Sequence, residues 1–314
     1  MDLMWLKTVD VVSRVPPRWL LDLDRRSATE GMCVLRPGGL GDLVLLTRAC
    51  LEEKLNPLQV RWMVERRNSP WLEFLGIPHE CYDTVATFVA CARGRRRFAA
   101  VVNTEQTFGL ATVFARRLVG ERGTLIGFGS NRRADLQDVS LPYDHRESEL
   151  CTFRRMWQIA SHYESRLPSG HFVMPSPDRP QEKPYSVAAL GGLQLAYKRL
   201  SLDDWAGLLR VAAAGADTLY LLGAARDREF ADKLCSSAPV HVINLVGRLG
   251  FAQVVAYVSG ATRVVGVDSG LIHIADFYGV PSDVVIQDRL VSKWGPRTHG
   301  SRTVARPDQL LQGA

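Results

Sequence analysis

The sequence predicts an α/β protein made of two Rossmann-like, doubly wound parallel-sheet domains that face a cleft. Three observations support this fold class. Apolar strand segments alternate with segments of helical periodicity in two series, a proline-rich stretch separates the series, and a glycine-dense turn follows the first strand. Because βαβ crossovers are right-handed, each series is expected to form one open sheet with a ligand crevice at the carboxyl ends of its strands.

The first series of elements is predicted to form the first domain, residues 31–166. Its strands are predicted at 32–36, 59–64, 98–102 and 123–128, and its helices at 42–54, 85–95, 105–119 and 148–164. Residues 1–30 have apolar residues at roughly helical spacing, interrupted at Pro16 and Pro17. We expect this amphipathic extension to pack on the first domain, with contact to a membrane surface as the alternative.

Residues 167–184 contain five prolines and are predicted to be the linker. The alternation then resumes in a second domain, residues 185–314. Strands are predicted at 185–190, 217–222, 241–245, 262–267 and 283–287, with helices at 202–214, 225–237, 250–259 and 270–278.

Composition narrows the class of protein. The chain is 46% hydrophobic and 23% charged, as in ordinary globular proteins, and no apolar run reaches the length of a membrane span. No secretory leader is recognisable, so a cytoplasmic location is expected. The six cysteines are scattered without metal-binding spacing, and the one D-x-D, Asp22 to Asp24, lies before any predicted strand, so no metal site is predicted.

The net charge of +6 comes from one region. Residues 93–133 contain nine arginines against two glutamates. These arginines indicate either a solvated surface or a surface that faces an anionic partner such as a glycolipid or a membrane leaflet. No nucleic-acid-binding motif accompanies them, so a nucleic-acid partner is not expected.

The stretch MCVLRPGGLGDLVL, residues 32–45, joins the first strand to the first helix through a turn that contains Gly39 and Gly41. It resembles a dinucleotide fingerprint, G-x-G-x-x-G, but Val44 replaces the third glycine. Glu65, about twenty residues on, could act as the ribose-binding acid of that fingerprint. Asp42 has a simple structural alternative as well, since a carboxylate in the first turn of a helix is favoured by the helix dipole.

Two further motifs lie in the second half. In RVVGVDSGLIHIADFYGVP, residues 263–281, a buried strand ends at Asp268, and Ser269 and Gly270 open a helix that carries His273. The free amides of such a helix start suit a diphosphate, although a capped helix with a core histidine would have the same sequence. In AYKRLSLDDW, residues 196–205, Lys198 and Arg199 precede a predicted N-cap and could contact a phosphate.

Together these motifs resemble family nine of the bacterial glycosyltransferases, whose best-known members are the ADP-heptose:lipopolysaccharide heptosyltransferases. The similarity lies in R-P-G-G-L-G-D at 36–42, K-R at 198–199, D-S-G-x-x-H from Asp268 and W-G-P at 294–296. The resemblance implies a GT-B fold, an acceptor on the first domain, a sugar nucleotide on the second, and inversion at the anomeric carbon. The loop ALGGLQLAYKR, residues 189–199, differs from the family's usual pattern.

The resemblance also implies roles for individual residues. Asp42 would be the catalytic base, and Lys198 would stabilise the leaving diphosphate. The remaining donor-binding residues would be Arg199, Gly223, Asp227, Asp268, Ser269, Gly270 and His273. The acceptor would bind at the turn of Gly39 and Gly41, and from their place after a strand also near Asn103, Glu105 and Gln106.

The sequence therefore predicts a metal-independent, inverting glycosyltransferase that moves heptose from ADP-heptose to a hydroxyl of a glycan, glycolipid or small molecule. No cofactor is expected besides the nucleotide-sugar donor. Two alternatives stay open: a non-catalytic protein that binds sugar nucleotides, and an NAD(P)-dependent oxidoreductase.

Overall fold

The computed structural model describes residues 30–84, 98–163, 172–178, 180–181, 183–191, 200–214, 216–238 and 240–311. The chain divides into two compact units. The first comprises the residues up to His145 together with Leu150–Met174, and the second comprises Arg146–Glu149 and the residues from Pro175 onward. The N-terminal extension predicted for residues 1–30 lies outside the described residues except for Glu30, as do the helix predicted at 85–95 and the pair Lys198 and Arg199.

The first unit contains one parallel sheet of six strands. They are β1 (Glu30–Arg36), β2 (Arg61–Val64), β3 (His79–Cys81), β4 (Phe98–Asn103), β5 (Val119–Phe128) and β6 (Val139–Leu141). Their order across the sheet is β3-β2-β1-β4-β5-β6. In register, Val34 of β1 lies between Trp62 of β2 and Val102 of β4. The two central strands, β1 and β4, are neighbours in space but not in sequence, which makes their carboxyl ends the switch point of the sheet.

The helices of the first unit cover this sheet. They are α1 (Leu40–Glu52), α2 (Ser69–Phe74), α3 (Gly109–Leu118) and α4 (Glu149–Tyr163). Buried apolar side chains of α1 face the core, and Trp157 of α4 donates a hydrogen bond to the carbonyl of Leu46 at 3.1 Å. The Trp157 ring also packs against Trp62 of β2 at 5.7 Å between ring centroids. These contacts fix the start of α1 relative to the sheet, and this start carries the predicted base.

The second unit repeats the same topology. Its strands are β7 (Tyr185–Ala189), β8 (Thr218–Leu222), β9 (Ile243–Asn244), β10 (Arg263–Val267), β11 (Ser282–Val285) and β12 (Arg302–Val304), in the order β12-β11-β10-β7-β8-β9. Its helices are α5 (Leu202–Ala213), α6 (Arg228–Ser237), α7 (Phe251–Gly260), α8 (Gly270–Phe277), α9 (Asp288–Trp294) and α10 (Asp308–Leu311). Trp205 and Leu209 of α5 are fully buried in its core.

The predicted fold class is confirmed: both units are parallel α/β sheets, and most predicted elements lie within a few residues of their observed bounds. Three edge strands, β3, β6 and β12, were missed because each has only three residues and too few apolar positions for a periodicity. The helix predicted to begin at residue 105 begins at Gly109 instead. No helix in the described part of the chain is long and apolar enough to cross a membrane.

Candidate active site

The glycine turn after β1 places Asp42 beside a buried arginine. Gly38 adopts φ +115°, which favours glycine, and α1 begins at Leu40 with Asp42 in its first turn. The Asp42 carboxylate lies 2.7 Å from Nη2 of Arg36, and the same oxygen accepts a hydrogen bond from the Gly39 amide at 3.3 Å. The Asp42 side chain keeps 20% of its surface exposed, whereas Arg36 keeps 5%.

Arg36 also links the loops at the ends of the two central strands. Its Nη1 donates to the carbonyl oxygen of Thr104 at 3.1 Å and to the Thr104 hydroxyl at 3.2 Å, just after β4. The guanidinium lies 5.4 Å from the ring centroid of Phe153. Asp42 is therefore held by a cation that is itself fixed on several sides, an arrangement that restricts the carboxylate to one position.

Glu65 also holds the glycine turn after β1 in place. It is 1% exposed and accepts hydrogen bonds from the Gly38 amide at 2.9 Å and from the Tyr82 hydroxyl at 3.1 Å. Arg67 is its ion-pair partner. Burial and the neighbouring Glu65 raise the pKa of Tyr82, so the phenol stays a donor to the carboxylate. A ribose would have to replace these contacts, which argues against the role of Glu65 in a dinucleotide fingerprint.

The loop after β4 is occupied by its own hydrogen bonds. Asn103 is completely buried and donates to the Thr112 hydroxyl at 2.9 Å. One Glu105 oxygen accepts from the amides of Thr107 and Phe108, just before α3, which explains why that helix starts later than predicted. Asn103 has no exposed surface with which to contact an acceptor. Glu105 and Gln106 are partly exposed.

The arginine-rich region does not form one uniform surface. Arg116 is 1% exposed and its ion pair with Asp138 spans 2.6 Å, so it is part of the structure of the first unit. Arg122 and Arg132 are exposed. Residues 93–97 lie outside the described residues. For Arg116, therefore, the interpretation as a surface arginine is wrong.

In the second unit, the D-S-G motif lies at the corresponding switch point, after β10. Ser269 is the N-cap of α8 in an extended conformation, and Gly270 is the first residue of the helix. The Ser269 hydroxyl oxygen is buried and has no hydrogen-bond partner among the described residues. The first amides of any α-helix lack intrahelical acceptors, so this helix start offers N–H groups and a hydroxyl to an anion.

Gly191 and His273 lie beside this helix start. A Cβ atom on Gly191, just after β7, would lie 2.6 Å from the Ser269 Cβ, so this glycine permits a close approach of the two loops. His273 is 4% exposed, and its Nε2 lies 3.4 Å from an Asp268 oxygen. Its ring meets Trp294 of the W-G-P motif edge to face at 6.2 Å. In this structure His273 is a buried residue beside Asp268, and its contact with a donor stays a prediction.

The end of β8 supplies the other predicted donor residues. A Cβ on Gly223 would lie 3.0 Å from that of Leu190, so a side chain there would crowd the neighbouring strand. Asp227 is 7% exposed, and burial raises the pKa of its carboxyl, with Arg226 opposing the rise. A separate small pocket of about 80 Å³ lies at the ends of β10 and β11, where it is lined by Asp268, Gln287 and apolar residues that include Val267 and Val285.

Sequence reasoning gave no role to Arg36, Thr104 and Lys293, and it considered Glu65 only as a ribose-binding acid. Arg36, Thr104 and Glu65 hold the first glycine turn, as described above. In the second unit Lys293, 6% exposed, pairs with the fully buried Glu149 at 3.0 Å and lies 5.5 Å from the Trp294 ring centroid. The sequence does show Arg36 at the end of an apolar strand and Lys293 beside the W-G-P motif, and a charge at such a position indicates a buried partner. It does not show which residue of opposite charge that partner is. No group of three or more His, Cys, Asp or Glu residues that could hold a metal occurs within the described ranges.

The sequence profile of glycosyltransferase family 9 (heptosyltransferase) matches residues 139–282, which include the D-S-G helix start but not Asp42. The sequence has no significant match among curated proteins.

Solved structures are similar over nearly the whole chain. A family 9 glycosyl transferase from Veillonella parvula has a TM-score of 0.70 at 11% identity, covering 91% of this chain and 96% of that one. E. coli ADP-heptose LPS heptosyltransferase II has a TM-score of 0.67 at 13% identity, with coverages of 90% and 96%. E. coli heptosyltransferase WaaC, solved with ADP, has a TM-score of 0.68 at 14% identity, with coverages of 90% and 98%.

Two parallel sheets of this strand order, in a chain similar to these structures, define the GT-B fold class that the sequence predicted. Within that class, the match over residues 139–282 confirms the resemblance to glycosyltransferase family 9 and the prediction that the chain is a glycosyltransferase.

Proposed function

We propose that this chain is an inverting glycosyltransferase that moves heptose from ADP-heptose to a hydroxyl group of a glycan or glycolipid without a metal ion. The observation that carries the proposal is the Asp42 carboxylate, partly exposed and held in place by the buried Arg36. The names of the similar E. coli proteins, an ADP-heptose heptosyltransferase and a heptosyltransferase solved with ADP, support the choice of donor.

In the proposed reaction, Asp42 removes the proton of the acceptor hydroxyl. The hydroxyl oxygen then bonds to the anomeric carbon on the face opposite the leaving group, and the bond from that carbon to the diphosphate oxygen breaks with its electron pair. ADP leaves, and the anomeric configuration is inverted. A positioned base of this kind contributes about 10²- to 10⁴-fold to the rate.

The donor would bind on the second unit. The first amides of α8 and the Ser269 hydroxyl would stabilise the charge that develops on the diphosphate, and each such preorganised donor is worth about 3 to 4 kcal/mol in the transition state. Lys198 and Arg199 are proposed to contact the same diphosphate, and Asp227 is proposed to contact the ribose. The α8 amides, the Ser269 hydroxyl and the two cations would supply the charge stabilisation that other transferases obtain from a metal ion.

An acceptor would bind at the glycine turn of the first unit. Gly39 and Gly41 are proposed to leave the approach to Asp42 free of side chains, and the partly exposed Glu105 and Gln106 are proposed to contact the acceptor. Asn103 is not retained in this role because it is buried. The exposed arginines, Arg122 and Arg132, are compatible with an acceptor that carries phosphate groups.

The test compares Asp42→Asn with Asp204→Asn. Both aspartates occupy the third position of a helix and accept a hydrogen bond from the backbone amide of the N-cap residue, so they share the capping role. ADP release from ADP-heptose is measured with a heptose-free glycolipid acceptor, with and without EDTA. We expect Asp42→Asn to lose about 10²- to 10⁴-fold in kcat and Asp204→Asn to keep it. An active Asp42→Asn enzyme would mean that Asp42 only caps its helix.

The donor is tested separately. Thermal shifts are measured with ADP, UDP, GDP, CDP and their sugar conjugates, and we expect stabilisation by ADP and ADP-heptose alone. Binding of ADP-heptose without turnover on any acceptor would support the non-catalytic alternative. A shift with NADH would support the oxidoreductase, which the buried contacts of Glu65 disfavour.

A further inference from the structure

A second cavity lies in the second unit, at the amino ends of the strands, whereas the proposed donor site lies at their carboxyl ends. Its volume is about 520 Å³, and it is lined by residues at the starts of β7, β10 and β12 and at the end of α5. Ser186, Thr262, Arg263 and Arg302 are its polar lining residues, and Val211, Ala212 and Ala214 supply an apolar wall. Protein pockets that bind small molecules commonly have volumes of about 300 to 1,000 Å³.

The polar side of this cavity carries a surplus positive charge. Arg263 Nη1 and Arg302 Nε both donate to one oxygen of the completely buried Asp283 at 2.8 Å, and Arg302 Nη2 donates to the other at 2.8 Å. Arg263 also donates to the Gly300 carbonyl at 3.3 Å. Each guanidinium has five N–H groups, more than these contacts use. Two cations thus share one carboxylate, and both stay partly exposed, at 32% and 37% of their side-chain surface.

Ser186 points to a ligand in the same cavity. It is 1% exposed, and its hydroxyl has no hydrogen-bond partner among the residues that the structure describes. Buried hydroxyl groups in folded proteins are nearly always hydrogen-bonded to protein or to ordered water, so the Ser186 hydroxyl is available to a molecule that enters the cavity. Two fixed guanidiniums and a hydroxyl donor form a set that matches the oxygens of a phosphate group, which guanidiniums bind through paired hydrogen bonds.

We propose that this cavity binds a small phosphorylated molecule, with its phosphate group held by Arg263, Arg302 and Ser186. The organic part of the molecule would lie against Val211 and Ala214. The site is separate from the helix start that is proposed to bind the donor, because it lies at the amino ends of the strands instead of the carboxyl ends. It does not depend on the proposed function of the carboxyl edge.

The test uses a pair of opposite charges at Ala214, an exposed residue just after α5 whose replacement leaves the core and Asp283 untouched. Binding of inorganic phosphate and of glucose 1-phosphate is measured by isothermal titration at constant ionic strength. We expect Ala214→Glu to raise both Kd values at least about tenfold through repulsion, and Ala214→Lys to keep or lower them. Ser186→Ala removes one hydrogen bond and is expected to raise them about fivefold.

Thermal unfolding of each variant without ligand checks that the fold is kept. Phosphate bound at the start of α8 would respond to Ser269→Ala but not to the Ala214 pair, so the two sites are distinguishable. Equal affinities in both Ala214 variants, or no phosphate binding by the wild-type protein, would overturn the proposal. Binding of inorganic phosphate without binding of glucose 1-phosphate would show that the cavity takes the free ion, and the proposed ester ligand would be wrong.

Discussion

The two sheets share one strand order, yet their switch points are built differently. In the first sheet the loops after β1 and β4 are joined by charged and polar bonds, from Asp42 to Arg36 and from Arg36 to Thr104. In the second sheet the loops after β7 and β10 approach each other closely, because Gly191 has no side chain where it faces Ser269. The first loop pair fixes a carboxylate. The second leaves amides and a hydroxyl available to an anion.

This difference shows that topology alone does not decide chemistry. Both crevices occur where the same strand order reverses, as expected for doubly wound sheets. The ligand that each crevice can bind depends on whether charged side chains of the protein already fill the loops around it. The comparison can be tested by removing the charged links of the first switch point and the small or unpartnered groups of the second.

The largest effect is expected for Arg36→Met. Arg36 is 4% exposed and bonds to Asp42 and Thr104, so its loss leaves polar groups of both loops without their donor. We expect the free energy of unfolding to fall by about 2 to 4 kcal/mol in urea titrations. The transferase rate should fall about 10²-fold because Asp42 loses its fixed position.

Arg67→Met is the control for this prediction. Arg67 also pairs with a carboxylate that supports this turn, Glu65, but 62% of the Arg67 side chain is exposed, and Glu65 keeps its hydrogen bonds from Gly38 and Tyr82 when Arg67 is lost. Its loss should therefore cost no more than about 1 kcal/mol. Equal losses for the two variants would contradict the view that the buried link holds the first switch point.

A smaller effect is expected for Gly38→Ala. Gly38 has φ +115°, and an added Cβ would lie 2.8 Å from Arg36 Nη2. We expect a loss of about 2 to 3 kcal/mol in unfolding free energy, of which the positive φ accounts for about 1 to 2 kcal/mol.

Gly76→Ala separates these two causes. Gly76 has φ +67° with nothing within 4 Å of its Cβ position, so this variant bears the backbone cost alone. If both alanines cost the same, the crowding of Arg36 has no energetic weight, and the charged link is looser than the structure indicates.

How far the sequence predicted these features depends on the range of the interactions. Strand and helix periodicities are local, so the α/β alternation and the helix start at Gly270 were predictable, and the helix predicted from residue 42 begins only two residues earlier, at Leu40. Arg36 stands within the quoted motif, but its partner Thr104 is 68 residues away, and no local pattern connects them. Glu65 could be considered a ribose-binding acid for the same reason, since its contact with Tyr82 exists only in the fold.

At the second switch point, Ser269→Ala should leave stability nearly unchanged. The Ser269 hydroxyl has no partner among the described residues, so its removal breaks no hydrogen bond, and we expect a change within about 0.5 kcal/mol. ADP affinity should fall about fivefold to tenfold if the hydroxyl contacts the diphosphate. Isothermal titration with ADP measures this.

Ser282→Ala is the converse control. Ser282 is fully buried at the start of β11, and its hydroxyl donates to the Val280 carbonyl at 3.3 Å. Its loss should cost about 1 kcal/mol of stability without changing ADP affinity. A drop in stability for Ser269→Ala as large as that for Ser282→Ala would show that Ser269 is a structural residue, and the contrast between the switch points would fail.

The smallest effect is a pH dependence at Asp227. Burial raises the pKa of its carboxyl above the ordinary value of 3.8, so the folded state binds this proton more tightly than the unfolded state does. The contribution of Asp227 to stability therefore falls as pH rises from about 3.8 through the raised pKa. Asp227→Asn removes this fall, and the variant should be at least as stable as the wild-type protein at neutral pH.

Glu229→Gln, in the first turn of the helix that Asp227 precedes, provides the opposite sign. A hydrogen bond from Lys233 lowers the pKa of Glu229, so its contribution is present above the ordinary value of 4.5 and is lost as pH falls through the lowered pKa. Urea unfolding from pH 3 to pH 7 should thus give stability differences from the wild type that run in opposite directions for the two variants. Parallel curves would mean that Asp227 is solvated, and the second switch point would then lack the partly desolvated carboxyl that we propose meets the ribose.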